Sequence, residues 1–180
     1  DGYVLSGPEY LSVFSGTEGK ELATVPYDVP RGQVSSWGDD YGNRVDRFLA
    51  TAAYLDDTGL PSLVMARGYY TRTTIVAWNF RAGKLTQLGK FDSNARPKDA
   101  KGRSYTGQGA HSLSVANVDK DPQQEIVYGA MVVDDDGKVC GVFSLDDLAT
   151  HAPRDAAVGR EALTVLTATC QPYATHSLVT

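Results

Sequence analysis

The stretch Val64-Met-Ala-Arg67-Gly-Tyr69-Tyr70-Thr-Arg72-Thr sets two arginines around a glycine and paired tyrosines. It lies directly before an alternating segment, Thr74 to Phe80, that reads as a strand. A planar guanidinium donates to both oxygens of a carboxylate at once, and an aromatic ring stacks on the apolar face of a sugar. Arginine and tyrosine crowded at a strand end therefore suit an acidic sugar. The same residues also make an ordinary surface ion-pair patch over two core tyrosines, and this stretch alone does not separate the two readings.

A second group lies upstream in Trp37-Gly-Asp-Asp-Tyr41-Gly-Asn43-Arg44-Val-Asp46-Arg47. Arg44, Arg47, Arg67 and Arg72 are the local cations suited to a carboxylate; each can instead pair with Asp46, Asp56 or Asp57. Trp37, Tyr41, Tyr69 and Tyr70 are stacking candidates or core aromatics, and Asn43 and Asp46 offer oxygens to a metal or to hydroxyls. His111 is the imidazole nearest a strand start. Imidazoles titrate near neutrality and so suit proton transfer, although a structural hydrogen bond is the plainer role.

Asn117-Val-Asp119-Lys-Asp121-Pro-Gln123-Gln-Glu125 is the candidate metal loop. Asn117, Asp119, Asp121 and Glu125 offer oxygens at alternating positions and at the start of the next strand, and calcium takes six to eight such hard ligands. Pro122 stands where a loop of this kind usually carries a glycine with positive φ, and Lys120 adds a positive charge. The competing reading is a solvated acidic turn. Asp56-Asp57-Thr58-Gly59 lacks the alternation and reads as a turn.

The elements that must position these residues are short strands. Glu9 to Ser15 and Glu21 to Tyr27 alternate about a Gly16–Gly19 turn and form a hairpin. Arg47 to Leu55, Ser62 to Ala66, Thr74 to Phe80 and Leu85 to Phe91 follow, then His111 to Val118, Glu125 to Val133 and Lys138 to Phe143. Asp92 to Gly109 is polar and reads as a long surface loop.

Two internal repeats organise them. Ala53-Tyr-Leu-Asp56 and Leu63-Val64 match Ala116-Asn-Val-Asp119 and Ile126-Val127 at a shift of 63 (119 − 56). Val13-Phe14…Gly19-Lys20 echoes Ala77-Trp78…Gly83-Lys84 at a shift of 64 (83 − 19). Such periods, each with about four short strands, fit the blades of a β-propeller. The predicted class is all-β: residues 1–140 as about two to two and a half blades, and 141–180 as a divergent, irregular tail with a helix or strand near Arg160 to Thr169.

The 180 residues carry a net charge of −5 and a pI near 5.1, against a nucleic-acid binder. No apolar run approaches the roughly 18 residues of a membrane span. Cys140 and Cys170 allow one disulfide in an exported protein; unpaired, semi-buried thiols are the reading preferred here, and a multi-Cys/His zinc spacing is lacking. The chain opens on Asp1, as a processed product or fragment does.

Leu5-Ser-Gly-Pro-Glu-Tyr-Leu-Ser-Val-Phe14, Trp37 to Ala50, Met65-Ala-Arg-Gly-Tyr-Tyr70, Gly107-Gln-Gly109 and Tyr128-Gly-Ala-Met131 together resemble the family-11 polysaccharide lyases, the rhamnogalacturonan lyases. The resemblance runs from residue 1 to about Lys138. It implies part of an eight-bladed propeller in a secreted bacterial enzyme, monomeric when complete. Such an enzyme binds calcium and cleaves the rhamnose–galacturonate backbone of rhamnogalacturonan I, a pectic polysaccharide, by β-elimination. The roles implied are Arg67 and His111 as catalytic residues, Asn43, Arg44, Asp46, Tyr69, Tyr70 and Arg72 as substrate contacts, and Asn117, Asp119, Asp121 and Glu125 as calcium ligands. The piece by itself is expected to be inactive. Three departures stand out: Ala110-His111-Ser112 replaces the family's Asn-His-Asn, Lys120 and Pro122 replace loop glycines, and a Gly-His-Gly-Asp segment is missing after Lys138. The alternative reading is a non-catalytic propeller that binds acidic glycans or a protein partner.

Overall fold

The computed structural model describes residues 2–98, 102, 104–109, 111–118, 121–135 and 137–142, the last three through their backbone only where side chains are concerned. Asp119, Lys120, Cys170, the Cys140 side chain and the tail from 143 lie outside what is described. Ten strands follow in order: β1 (Tyr10–Phe14), β2 (Glu21–Pro26), β3 (Phe48–Ala53), β4 (Ser62–Arg67), β5 (Thr74–Arg81), β6 (Lys84–Asp92), β7 (Leu113–Ala116), β8 (Glu125–Tyr128), β9 (Met131–Val133) and β10 (Val139–Val142). One turn of 3-10 helix, Val34–Trp37, is the single helical element among the described residues. The all-β class is therefore as read.

All pairings are antiparallel between consecutive strands. β1 and β2 form a hairpin, β3-β4-β5-β6 a four-stranded sheet and β7-β8-β9-β10 another. The middle sheet is covered on both faces, which explains the unbroken apolar run of β5. Ile75 and Ala77 face one core with Ala53, Val64, Ala66 and Phe91, packed on Ile126, Met131 and Val133 of the next sheet. Val76 and Trp78 face the other core, with Leu85 and with Leu11 of the first hairpin. Each such aliphatic or aromatic side chain contributes roughly 1.5–3 kcal/mol on burial, so this sheet anchors the other two.

The repeat has a structural counterpart. The shift of 63 carries the end of β3 onto β7 and β4 onto β8; the shift of 64 carries β1–β2 onto β5–β6. The two acidic loops of the repeat touch: Gln124 N donates to Tyr54 O at 2.9 Å, and Gln123 Nε2 donates to Asp57 Oδ1 at 2.6 Å.

Two expectations change. Glu125 to Val133 is two strands, because the chain reverses at Gly129-Ala130 and pairs Tyr128 with Met131. Asp92 to Gly109 is not merely a surface loop: Tyr105 returns to the core, 5.6 Å from the Phe91 ring. That aromatic was hidden by the charged residues around it.

Candidate functional site

Arg67 ends β4 in the interior, with 0% exposure. Its Nη1 donates to Glu9 Oε2 and Val29 O, both at 2.9 Å, and Nη2 to Glu9 Oε1 at 2.7 Å and Asp46 Oδ1 at 3.5 Å. Nε donates to Val45 O at 2.7 Å. The guanidinium also lies over Phe48, Trp37 and Tyr27, at 4.7, 5.4 and 5.6 Å from their ring centroids. Every N–H direction is taken, so Arg67 ties the first hairpin to the middle sheet and has no donor left for a substrate. The catalytic assignment of Arg67 is corrected on this ground. Of its partners, Asp46 was among those the sequence offered, whereas Glu9, 58 residues away, was illegible locally.

Glu9 is shared. Arg31 N donates to its Oε2 at 2.6 Å, and Arg31 Nη2 bridges Glu9 and Asp46 at 3.4 and 3.0 Å. Burial opposes the Glu9 carboxylate, but hydrogen bonds and charge from Arg67 and Arg31 outweigh it and hold its pKa below the ordinary carboxylate value. Asp46 belongs to this knot, on its exposed rim, paired with Arg31 and Arg67.

Arg72 is likewise engaged. It makes a two-pronged pair with Asp92 at 3.1 and 2.6 Å and lies 4.4 Å from the Trp37 ring centroid. Burial raises the Asp92 pKa, yet the Arg72 hydrogen bond and charge bring it below the usual range. Trp37 is fully buried, and its indole N–H donates to Arg31 O at 2.8 Å; it is core, not a stacking surface. Tyr41 is exposed and meets Tyr3 at 6.2 Å.

The remaining candidates meet on the surface just beyond the knot. Asp39 accepts from the backbone N–H groups of Tyr41, Gly42 and Arg44 at 3.2, 2.9 and 2.8 Å, curling the loop and holding Arg44 Nε 3.9 Å away. Asn43 is thereby presented to the β4–β5 loop, where its Nδ2 donates to Tyr69 Oη at 2.7 Å. Arg47 Nη2 donates to Asn43 Oδ1 at 3.0 Å, and its guanidinium lies 5.2 Å from the Tyr69 ring centroid. Tyr69 and Tyr70 rings are 4.1 Å apart, and Tyr70 Oη and His111 Nε2 are hydrogen-bonded at 2.6 Å. Asn43, Tyr69, Tyr70 and His111 are thus brought together with Arg47.

Local backbone geometry explains that convergence. Gly68 has φ +86°, and a Cβ there would stand 2.3 Å from Arg72 O and 2.7 Å from the Trp37 ring. Only glycine allows this turn. Tyr70 itself has φ +66°, a conformation costing a side-chain-bearing residue about 1–2 kcal/mol. From the other side, Gly109 approaches so closely that a Cβ would meet Gly68 O at 2.5 Å, and its N–H donates to Thr73 Oγ1 at 3.1 Å. That approach delivers His111 to Tyr70.

The candidate metal loop lies at the start of β8. Glu125 is 0% exposed; its Oε2 accepts from Val118 N, while its Oε1 is buried and has no hydrogen-bond partner among the described residues. Asn117 Nδ2 closes the loop on the carbonyls of Asp121 and Gln123 at 2.6 and 3.0 Å. Carboxylate oxygens of Asp121, Asp134 and Asp135 come within 4.8 Å of one another. Asp134 and Asp135 stand between the segments read as strands, Glu125 to Val133 and Lys138 to Phe143; paired acids after a strand were the available signal. The Asp121, Asp134 and Asp135 oxygens are the hard donors that suit a hard cation; Glu125 lies outside that cluster.

Antiparallel sheets that gather Asn43, Arg47, Tyr70 and His111 into a shelf over the buried Tyr69 ring define an all-β protein. The family model described as "Rhamnogalacturonan lyase family 11, C-terminal domain" matches residues 1–171. The chain is 60% identical over 143 residues to rhamnogalacturonan exolyase YesX of Bacillus subtilis, and 56% identical over 143 residues to rhamnogalacturonan endolyase YesW of the same organism. Each match covers 79% of this chain and 22% of the relative, so the chain spans about a fifth of their length. A solved rhamnogalacturonan lyase of Bacillus licheniformis superposes with a TM-score of 0.69 at 64% identity, over 75% of this chain and 22% of that one. This chain belongs to rhamnogalacturonan lyase family 11.

Proposed function

We propose that this chain is a segment of a secreted bacterial lyase that cleaves the rhamnose–galacturonate backbone of rhamnogalacturonan I by calcium-assisted β-elimination. Its two four-stranded sheets are successive blades of a β-propeller, and β1–β2 is the outer hairpin of another. The observation that carries the reading is the convergence of Asn43, Arg47, Tyr70 and His111 over the buried Tyr69 ring in a family-11 chain. The substrate is a pectic polysaccharide, the complete protein acts as a monomer, and neither nucleic acid nor membrane is a partner.

In the elimination a base removes the proton at C5 of galacturonate. The C–H electrons form the C4=C5 double bond, the C4–O bond breaks, and the departing oxygen takes up a proton. The ionised carboxylate makes that C–H a very weak acid, so charge that stabilises the enolate-like transition state is worth about 3 kcal/mol or more. Among this chain's residues, the half-buried Tyr70 offers a face to the sugar, Asn43 orients it, and His111, its Nε2 held by Tyr70, takes the proton at its other ring nitrogen. A base so placed contributes roughly 10²–10⁴-fold. Asn117, Asp119, Asp121 and Glu125 are the residues proposed to hold calcium, with Asp134 and Asp135 adjacent to Asp121; the ion would supply charge neutralisation, at the Ala116–Glu125 end of β7–β8, opposite the Leu113–Tyr128 end that carries His111.

The test is unsaturated-uronide absorbance after the polypeptide carrying this segment meets rhamnogalacturonan, with calcium and then with chelator. Calcium-dependent product is expected. No product with retained polymer binding would favour the second reading, a non-catalytic glycan-binding propeller. That reading draws on Ala110 and Ser112 beside His111 and on Lys120 and Pro122 in the metal loop. Calcium should also raise the melting temperature of the chain, and Glu125→Gln should abolish most of that rise. An unmoved melting temperature would remove calcium from the loop.

A further inference from the structure

Five arginines surround the shelf and the knot beneath it, and four have a carboxylate. Arg31 and Arg67 share Glu9 and Asp46, Arg72 holds Asp92, and Arg44 lies 3.9 Å from Asp39. Arg47 is exposed and makes no ion pair among the described residues. It is not loose, however. Asn43 accepts from one of its donors, Asn43 is itself fixed by donating to Tyr69 Oη, and the Tyr69 ring lies beneath the guanidinium. A guanidinium has five N–H donors, so several remain open.

We infer that Arg47, oriented by Asn43 and by the buried Tyr69 ring, is a carboxylate-recognition subsite that takes the uronate group of an acidic oligosaccharide lying beside Tyr70 and His111. The inference rests on the saccharide reading above and deepens it by naming the anion and its cation. The neighbouring acid does not compete: Asp46 faces the other way, with its Oδ1 on Arg31 at 3.0 Å and on Arg67 at 3.5 Å. The local charge left over is therefore that of Arg47. Prior orientation by hydrogen bond and ring reduces the side-chain entropy lost when an anion binds. Tyr70, half-buried, packs 4.1 Å from the buried Tyr69 ring and gives the sugar ring an apolar face near the guanidinium.

The experiment is titration calorimetry of the 180-residue chain with a rhamnose–galacturonate oligosaccharide and with its carboxyl-reduced, neutral counterpart. A charge-assisted bidentate contact corresponds to about tenfold to a hundredfold in affinity. The acidic sugar should bind tighter than the neutral one by that factor. Arg47→Gln should erase the difference, and Arg47→Lys should restore part of it. Retention of the full acid preference in Arg47→Gln would overturn the inference, as would equal affinity for the two sugars in the parent chain. Absence of any binding by the parent chain would overturn it too. Unsaturated-uronide release by the carrying polypeptide separates the readings: product without Arg47 dependence leaves the lyase proposal standing, whereas no product and no binding removes both.

Discussion

Arg67 and Arg47 sit on the two sides of one loop and do opposite things. Arg67 is wholly buried, saturated by Glu9, Asp46 and two backbone carbonyls, and surrounded by three aromatic rings. Arg47 is exposed, held by one amide and one ring, and unpaired with any carboxylate among the described residues. The knot converts arginine into a bolt between hairpin and sheet; the shelf keeps arginine open to a ligand. Residue type is the same in both. What separates the roles is whether the donors are already spent.

The largest effect that would break this contrast is on stability, in the knot. Arg67→Ala would leave Glu9 half-buried with only Arg31 to neutralise it and would strip the Val29 and Val45 carbonyls of a donor. Removing one partner of a buried pair costs about 3–5 kcal/mol. Urea unfolding of the chain should show a loss of that order. A loss under about 1 kcal/mol, the range of an exposed pair, would mean that Arg67 is no bolt.

Next comes the seam between the two regions. Gly109→Ala places a methyl against Gly68 O at 2.5 Å, Thr73 Oγ1 at 2.8 Å and Tyr128 Oη at 3.1 Å. Backbone must shift, at a cost of about 1–3 kcal/mol. The shift falls on the segment that brings His111 to Tyr70, so a variant that still folds should also lose saccharide affinity. Unchanged melting and unchanged binding would show that the close approach of Gly109 does not position His111.

Acidification tests the knot more gently. Glu9 and Asp92 both have folded-state pKa values below the usual ones, 4.5 and 3.8. The unfolded chain therefore takes up protons first as pH falls. Their contribution is fully present above the unfolded values and is lost progressively below about pH 4–5. Arg67→Ala should flatten the Glu9 part of that decline. The loss on protonation should be smaller than that of the substitution, because the Val29 and Val45 bonds of Arg67 survive. An equally steep decline in the variant would mean that Arg67 does not hold the Glu9 proton off.

How much of this was legible in the sequence follows the range of the interactions. Alternation over β1 and β2 announced those strands, because strand burial is a local pattern; Thr74 to Phe80, read as alternating, proved buried on both faces in β5. The 63-residue spacing also anticipated that the loops after β3 and β7 would be equivalent, and Gln123 and Gln124 do bridge them. The break between β8 and β9 was missed because both strands are buried and apolar, so hydrophobicity does not mark the turn. For the site, the sequence placed Tyr69, Tyr70, Asn43 and His111 among the candidates but could not rank the arginines. Their ranking depends on Glu9, Asp46 and Asp92, which lie 58, 21 and 20 residues from the arginines they bind. No window of sequence contains both partners.

The smallest stability effect is the one that sharpens the comparison most. Arg47→Gln keeps a side chain able to donate to Asn43 Oδ1 and removes a charge that no carboxylate among the described residues uses. Exposed substitutions of that kind stay within about 0.5 kcal/mol, and the cation–π contact with Tyr69 adds only about 0.5–1 kcal/mol at an exposed site. The unfolding free energy should therefore move by less than about 1 kcal/mol, far below the Arg67→Ala loss. The ionic-strength response should differ as well. Salt should leave the stability of both Arg47→Gln and the parent almost equal, since Arg47 holds no ion pair for salt to screen. A loss approaching that of Arg67→Ala would show that Arg47 is a second bolt, and the division between a spent and an open arginine would collapse.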